Sequence, residues 1–345
     1  MAQYKPPPRL FGADFTESEI AEARRGNRLL MLSLGVTNRC NLKCDYCFTD
    51  AGCEPDGLLT LEDYKEVLLQ AKDLGLRTVV IYGPGEPFLF DKLASLTDFI
   101  VSEGLKLIIF TNGTLIDDDW AVYLSDKPVA IVGTINSLDR TLQDNMLRVP
   151  GAFDEIHAAL NRLLKAGLAD GQPTKIGTDT FITTQNVNEI PTIFRWCRDR
   201  NIFPFITRMF HLGRANRLDT DITNGEFGDV VNQLLLIDNE EYGYTWEPHP
   251  PYAGARCTNL FYNILVDLDG KVRPCYGLYY ELGDIRVNSL KDIWFSEDAV
   301  KFQNIDKYLA GKCKTCESNR ICYGCPCRTY GLTRNVFVED AICWR

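Results

Sequence analysis

Six short apolar runs, each followed by an amphipathic stretch, occupy the chain from Met31 to Phe210. They read MLSLGVT, RTVVIYG, LKLIIFTN, VAIVGTI, KIGTDTFIT and FPFITRMF. Near-continuous apolar runs suit strands buried on both faces, the condition of a parallel sheet covered by helices. The stretch LEDYKEVLLQAKDLG puts Leu61, Tyr64, Val67, Leu68 and Ala71 on one helical face, and Thr60 with Asp63 makes its capping-box start. FDEIHAALNRLLKAG stops at Gly167. The pattern predicts an α/β fold, a partial (β/α)6 TIM-like barrel over residues 31–246, with its reactive face at the strand C-termini.

Residues 1–30 read as an N-terminal extension. From Glu247 the Pro/Gly-rich EPHPPYAG interrupts the alternation, and short strands, turns and eight cysteines follow. Residues 247–345 are therefore expected to form a small cysteine-rich α+β domain, stapled by metal rather than driven by a core.

A net charge of −10 argues against a nucleic-acid partner, which needs clustered cations. MAQYKPPPRL shows no apolar h-region of a secretory signal, and runs such as LKLIIF are too short to span a membrane. The expected location is the reducing cytoplasm; of thirteen cysteines, Cys40 to Cys53 form one cluster, Cys257 to Cys343 another and Cys197 stands alone, a pattern that suits metal rather than disulfides.

The first cluster lies in NRCNLKCDYCFTDAGC, just past the first strand. Cys40, Cys44 and Cys47 have a C-x3-C-x2-C spacing. A structural zinc site wants four protein ligands, whereas three thiolates on an iron–sulfur cluster leave one iron free for a substrate or cofactor. Cys53 follows six residues later and falls outside the set; Cys197, in IFRWCRDR, reads as a small buried hydrophobe.

With Tyr46 before its last cysteine, this loop resembles the radical S-adenosylmethionine (SAM) family. YGPGEP, ending the second strand, is similar to the family's GGEP segment, with Pro84 in the middle and Gly83, Gly85, Glu86 and Pro87 retained. INSLDRTLQDNMLR, after the fourth strand, resembles a segment whose counterparts here would be Ser137 and Arg148, on the SAM ribose and carboxylate. HLGRA, after the sixth, would bring Leu212 near the adenine. Thr111, Asn112 and Gly113 end the third strand, where they contact SAM or substrate or simply make a turn. The resemblance implies a reduced 4Fe–4S cluster that cleaves SAM to a 5′-deoxyadenosyl radical, which then takes a hydrogen atom from the substrate. The cofactor carries that chemistry; the protein positions it and excludes water.

The C-terminal cysteines resemble the SPASM extension, which binds two auxiliary 4Fe–4S clusters and brings the total to three. The resemblance puts Cys313, Cys316, Cys322 and Cys343 on the outer cluster and Cys257, Cys275 and Cys325 on the inner one. Cys327 has three readings: a fourth inner ligand, a bystander to an inner cluster with an open iron, or a hydrogen-atom donor.

For substrate, the short stretch before Cys40 leans toward a small polar natural-product intermediate: a sugar, an aminocyclitol or a nucleoside. A ribosomally made peptide is the second reading, and a non-enzymatic iron–sulfur electron carrier a distant third. A flavodoxin- or ferredoxin-type reductant is the implied protein partner. Asp179, Arg208 and His211, near strand ends, either bind a polyol or phosphate or make ordinary salt bridges.

Overall fold

The computed structural model describes residues 5–249, 252–253 and 257–345. Its first strands and helices alternate as α1 (Glu17–Arg25), β1 (Met31–Leu34), α2 (Leu61–Asp73), β2 (Thr78–Ile81), α3 (Leu93–Ser102), β3 (Lys106–Thr111), α4 (Asp118–Ser125) and β4 (Val129–Thr134). They continue with α5 (Arg140–Leu147), α6 (Ala152–Lys165), β5 (Ile176–Ile182), α7 (Ile190–Arg198), β6 (Phe203–Arg208) and α8 (Asn224–Ile237). All six expected strands are present, and β1 to β6 pair in sequence order, all parallel. The chain is a partial (β/α)6 barrel, as the apolar runs predict.

Local chemistry accounts for the helix starts. Thr60 and Asp63 cap α2 reciprocally, and the helix buries Tyr64, Val67, Leu68 and Ala71. Strand residues alternate between two buried environments. Val80, Ile108 and Phe205 face a lumen inside the barrel, while Val79, Ile109 and Ile206 are buried on the other face.

The residues before β1 cover the N-terminal end of the barrel. Leu10 bridges to Thr174, the Thr78 hydroxyl donates to the Gly12 carbonyl at 2.8 Å, and Lys106 pairs with Asp14 at 3.1 Å. Strand starts on β2 and β3 thus gain partners from a segment whose sequence shows no strong periodicity.

The remaining elements are β7 (Tyr252–Ala253), β8 (Asn263–Val266), β9 (Lys271–Arg273), β10 (Gly283–Asp284), α9 (Leu290–Trp294), α10 (Glu297–Gln303), α11 (Lys312–Thr315) and α12 (Pro326–Thr333). The expected division at residue 247 does not break the sheet. β8 pairs parallel with β1, β9 and β10 follow antiparallel, and β7 pairs antiparallel with β6, giving ten strands in one sheet. An uncovered β1 edge would leave a row of unpaired backbone groups, and β8 supplies the partner. At the far end of the chain, Trp344 packs edge-on against Phe227 of α8, with ring centroids 5.1 Å apart. Among the described residues, no helix is long and apolar enough to cross a membrane.

A buried ion pair fastens α7 to the end of α8. Arg198 meets Asp238 with both contacts at 2.8 Å, and the Trp246 indole donates to the same carboxylate at 2.8 Å. Both charged side chains are nearly inaccessible, at 3% and 0% exposure, so removing one partner strands the other. Asp238→Ala is expected to cost about 3–5 kcal/mol in denaturant unfolding, and Arg198→Met combined with Asp238→Leu to cost clearly less.

Candidate active site at the barrel mouth

The loop carrying Cys40, Cys44 and Cys47 is gripped through its backbone by segments from three strand ends. After β2, the Gly85 and Glu86 amides donate to the Thr37 and Arg39 carbonyls, both at 2.8 Å. A Cβ on Gly85 would run into the Arg39 carbonyl and the Asn38 backbone, so only glycine permits this approach. After β4, the end of α5 receives the Lys43 and Asp45 amides on the Leu147 and Met146 carbonyls, both at 3.2 Å. After β6, the Arg214 amide donates to the Cys47 carbonyl at 2.9 Å, and its guanidinium reaches the Cys44 and Ala51 carbonyls at 3.1 and 2.8 Å. Gly213, at φ +53°, lets that segment close in; a Cβ there would sit 2.7 Å from the Cys47 carbonyl oxygen.

With its backbone occupied, the loop turns its thiols into a cavity of about 170 Å³, lined also by Tyr46, Gly83, Gly85, Glu86, Asn112 and Arg214. Burial, reinforced by the neighbouring thiols of Cys40 and Cys47, pushes the Cys44 thiol up to about 12. A bound metal centre would reverse that effect, since a coordinating thiol is deprotonated by the metal's charge. Glu86 is buried and fully engaged. It accepts from the Thr111 hydroxyl and the Asn112 amide at 2.7 Å and from the Phe88 amide at 3.0 Å, which ties the β2 and β3 ends together. The Tyr46 hydroxyl accepts from Asn136 at 2.6 Å.

Other expected contacts stand apart from this lining. Pro87 begins a 3-10 turn behind Glu86. The Ser137 hydroxyl donates to Glu189 at 2.7 Å. Arg148, exposed and left-handed at φ +58°, spends its guanidinium on Asp45 at 2.7 Å. Leu212 is buried but does not line the cavity. Gly113, at φ +83°, makes the turn after β3. Sequence reasoning missed Asn136 and Arg214; the HLGRA segment held the latter, but nothing in it marks an arginine that binds carbonyls 170 and 163 residues earlier. Arg208 and His211 share Asp221, at 2.7 and 2.9 Å. Cys53 is exposed, and Cys197 is buried on α7 against Thr178.

Rings of Tyr82, Phe48, Phe181, Phe210 and Tyr276 pack around the same cavity. It shares Phe110, Phe205 and Tyr276 with a larger lumen of about 360 Å³ beneath. Asp179 projects from mid-β5 into the upper cavity, and no described side chain bonds it. Burial raises its carboxyl from the usual 3.8 to about 7. The folded state thus holds this proton more tightly than the unfolded state, and its contribution to stability is lost as pH rises from about 4 to about 7. Thermal melts across that range should show the wild type losing stability relative to Asp179→Asn.

All thirteen cysteines are free thiols. In the C-terminal region, Cys327 adjoins Cys275 and Cys325, and its contact holds the Cys275 thiol below the ordinary range. A Cβ on Gly277 would meet the Cys327 Cβ at 2.9 Å, so glycine admits Cys327 to this group. Cys257 feels the charges of Cys275 and Cys325. Cys313, Cys322 and Cys343 form a second group with the exposed Cys316, joined by the Asp340 amide donating to Cys313 Sγ at 3.3 Å.

Residues 34–197 match the radical SAM superfamily, and residues 257–317 match SPASM, an iron–sulfur cluster-binding domain. The AdoMet-dependent heme synthase of Nitratidesulfovibrio vulgaris is 24% identical over 351 residues, covering 91% of each chain. The Fe-coproporphyrin III synthase of Methanosarcina barkeri is 27% identical over 354 residues, covering 90% of this chain and 86% of that one. Streptococcus suis SuiB bound to S-adenosylmethionine superposes at a TM-score of 0.73 and 18% identity, over 94% of this chain and 80% of its own, a likeness of fold. The two domains bring 4Fe–4S clusters and SAM as cofactors. The three-thiol cavity at the barrel mouth and the cysteine groups beyond it thus belong to a radical SAM superfamily enzyme with a C-terminal SPASM-type domain.

Proposed function

We propose that this enzyme removes a hydrogen atom from an apolar, ring-bearing cofactor-type molecule held in the barrel lumen. The aromatic lumen adjoining the three-thiol cavity carries this reading: Phe110, Phe205 and Tyr276 line both spaces, and Phe203, Tyr262 and Trp246 line the lower one. Such rings suit a planar apolar face, while Ser33, Asn259 and Asn263 in the lower space and Asp179 and Arg214 in the upper one offer polar partners at its edge. The heme-forming relatives, aligned over nearly the whole chain, point the same way. A peptide substrate is the second reading, supported by the fold shared with SuiB, which has been captured with its precursor peptide.

In this reading Cys40, Cys44 and Cys47 hold the cluster that takes SAM, free thiols facing one cavity being the fitting donor set. Cys313, Cys316, Cys322 and Cys343 hold the outer auxiliary cluster; Cys257, Cys275, Cys325 and Cys327 hold the inner one. When bound, these groups supply one-electron reductive chemistry that ends in hydrogen-atom abstraction from a substrate C–H bond. The chain's part is positioning. Tyr46, Gly83, Gly85, Glu86 and Asn112 shape the SAM side of the cavity, and Pro87, Ser137, Arg148 and Leu212 support its walls from outside. The aromatic rings exclude water, and Asp179 is placed to exchange a proton with the substrate. A flavodoxin- or ferredoxin-type donor would deliver electrons from the exposed Cys316 side. The free thiols favour a cytoplasmic location.

Anaerobic incubation of reconstituted protein with SAM, a strong reductant and porphyrin-type candidates, with mass analysis, should give 5′-deoxyadenosine and deuterium transfer from labelled substrate. Transfer from a labelled peptide alone would replace the first substrate reading with the second. Iron content should be about twelve per chain. Gly85→Ala, which displaces the first cysteine loop, and Cys327→Ala should each lower it by about four.

A further inference from the structure

Arg328 is a fully buried arginine whose charge has no described protein partner. It lies on α12, one residue past Cys327 and three past Cys325, which stands at the helix's N-terminal boundary. Its Nε donates to the Met209 carbonyl at 2.8 Å, and its guanidinium lies 5.4 Å from the Phe210 ring. Nη1 and Nη2 are buried with no acceptor in the protein. The carboxylates within its field are already engaged. Asp221 binds Arg208 and His211, at 2.7 and 2.9 Å, and Asp340 accepts the Cys325 and Ile342 amides, both at 3.0 Å. Burying a guanidinium without an acceptor is strongly unfavourable, so an anionic acceptor is missing from the protein's own inventory.

We infer that Arg328 directs its Nη donors at the inner auxiliary cluster and holds that cluster's reduction potential up. The inference rests on the assignment of Cys257, Cys275, Cys325 and Cys327 to that cluster. A cluster built from thiolates and sulfides is anionic and offers sulfur acceptors, and one electron added to it from the enzyme's reductant makes it more so. A fixed cation with hydrogen-bond donors therefore stabilises the reduced state more than the oxidised one. Arg328 acts through the cluster and is a positioning residue for electron flow. Asp340 sits at the same junction, its amide on Cys313 of the outer group and its carboxylate on the Cys325 amide of the inner.

The test is an EPR-monitored redox titration of the fully reconstituted chain beside its Arg328→Gln and Arg328→Lys variants, with iron counted in each. Arg328→Gln should shift the inner auxiliary midpoint to lower potential and leave the SAM cluster in place, while Arg328→Lys, which keeps the charge, should fall between. An unchanged midpoint in Arg328→Gln at full iron content overturns the inference. So does a raised KM with unchanged midpoints, which would make the substrate the acceptor. If Arg328→Gln does not fold, the Arg328→Lys midpoint decides, with wild-type potential and wild-type signal width overturning the inference. Should Cys257→Ala and Cys275→Ala lose no iron, the cluster assignment itself has failed, and the inference with it.

Discussion

The clamp on the first cysteine loop governs the rest of this structure. Groups from the ends of β2, β4 and β6, backbone in the main with the Arg214 guanidinium beside them, bond the loop's amides and carbonyls and fix its course. Two of these approaches are close enough to demand glycine, at Gly85 and Gly213. Three thiols held without a fourth protein ligand are useful only if their geometry survives the absence of that ligand, and the clamp supplies this rigidity.

The barrel supplies the rest. Its lumen is a chamber because alternate strand residues, Val80, Ile108 and Phe205 among them, face inward, and because the residues before β1 close the N-terminal end. The sheet continues through β8 beside β1, so the C-terminal cysteine groups are anchored to the strand that launches the first cysteine loop. The two cysteine-bearing ends of the molecule are therefore built on one sheet.

Much of this could be read in the chain before folding. The six apolar runs fall on six strands, Thr60 and Asp63 cap α2, and the glycine of YGPGEP sits where backbone must approach backbone. Less legible were residues whose role depends on distant partners. Ser137 and Arg148 were expected at the ligand, and nothing in the sequence showed that they bond Glu189 and Asp45. Arg214 and Asn136 passed unnoticed, because a side chain that bonds backbone carbonyls or a buried hydroxyl leaves no periodic signal. The division at residue 247 was drawn from a proline-rich stretch, and such a stretch carries no information on which strand pairs next.

By itself the sequence determined the β/α alternation, the cysteine spacing and the glycines, because these depend on local geometry: strand period, helix period and the absence of a Cβ. Only the tertiary structure decided where Cys327 stands. Cys327 joins Cys275 and Cys325 across some fifty residues of chain, admitted by Gly277, and the spacing C-x2-C-x-C is silent on that choice. The same holds for Arg328, whose two unpaired donors appear only when the surrounding carboxylates are seen to be taken. Burial and partner geometry are properties of the packed chain, and they turn a row of cysteines into distinct sites.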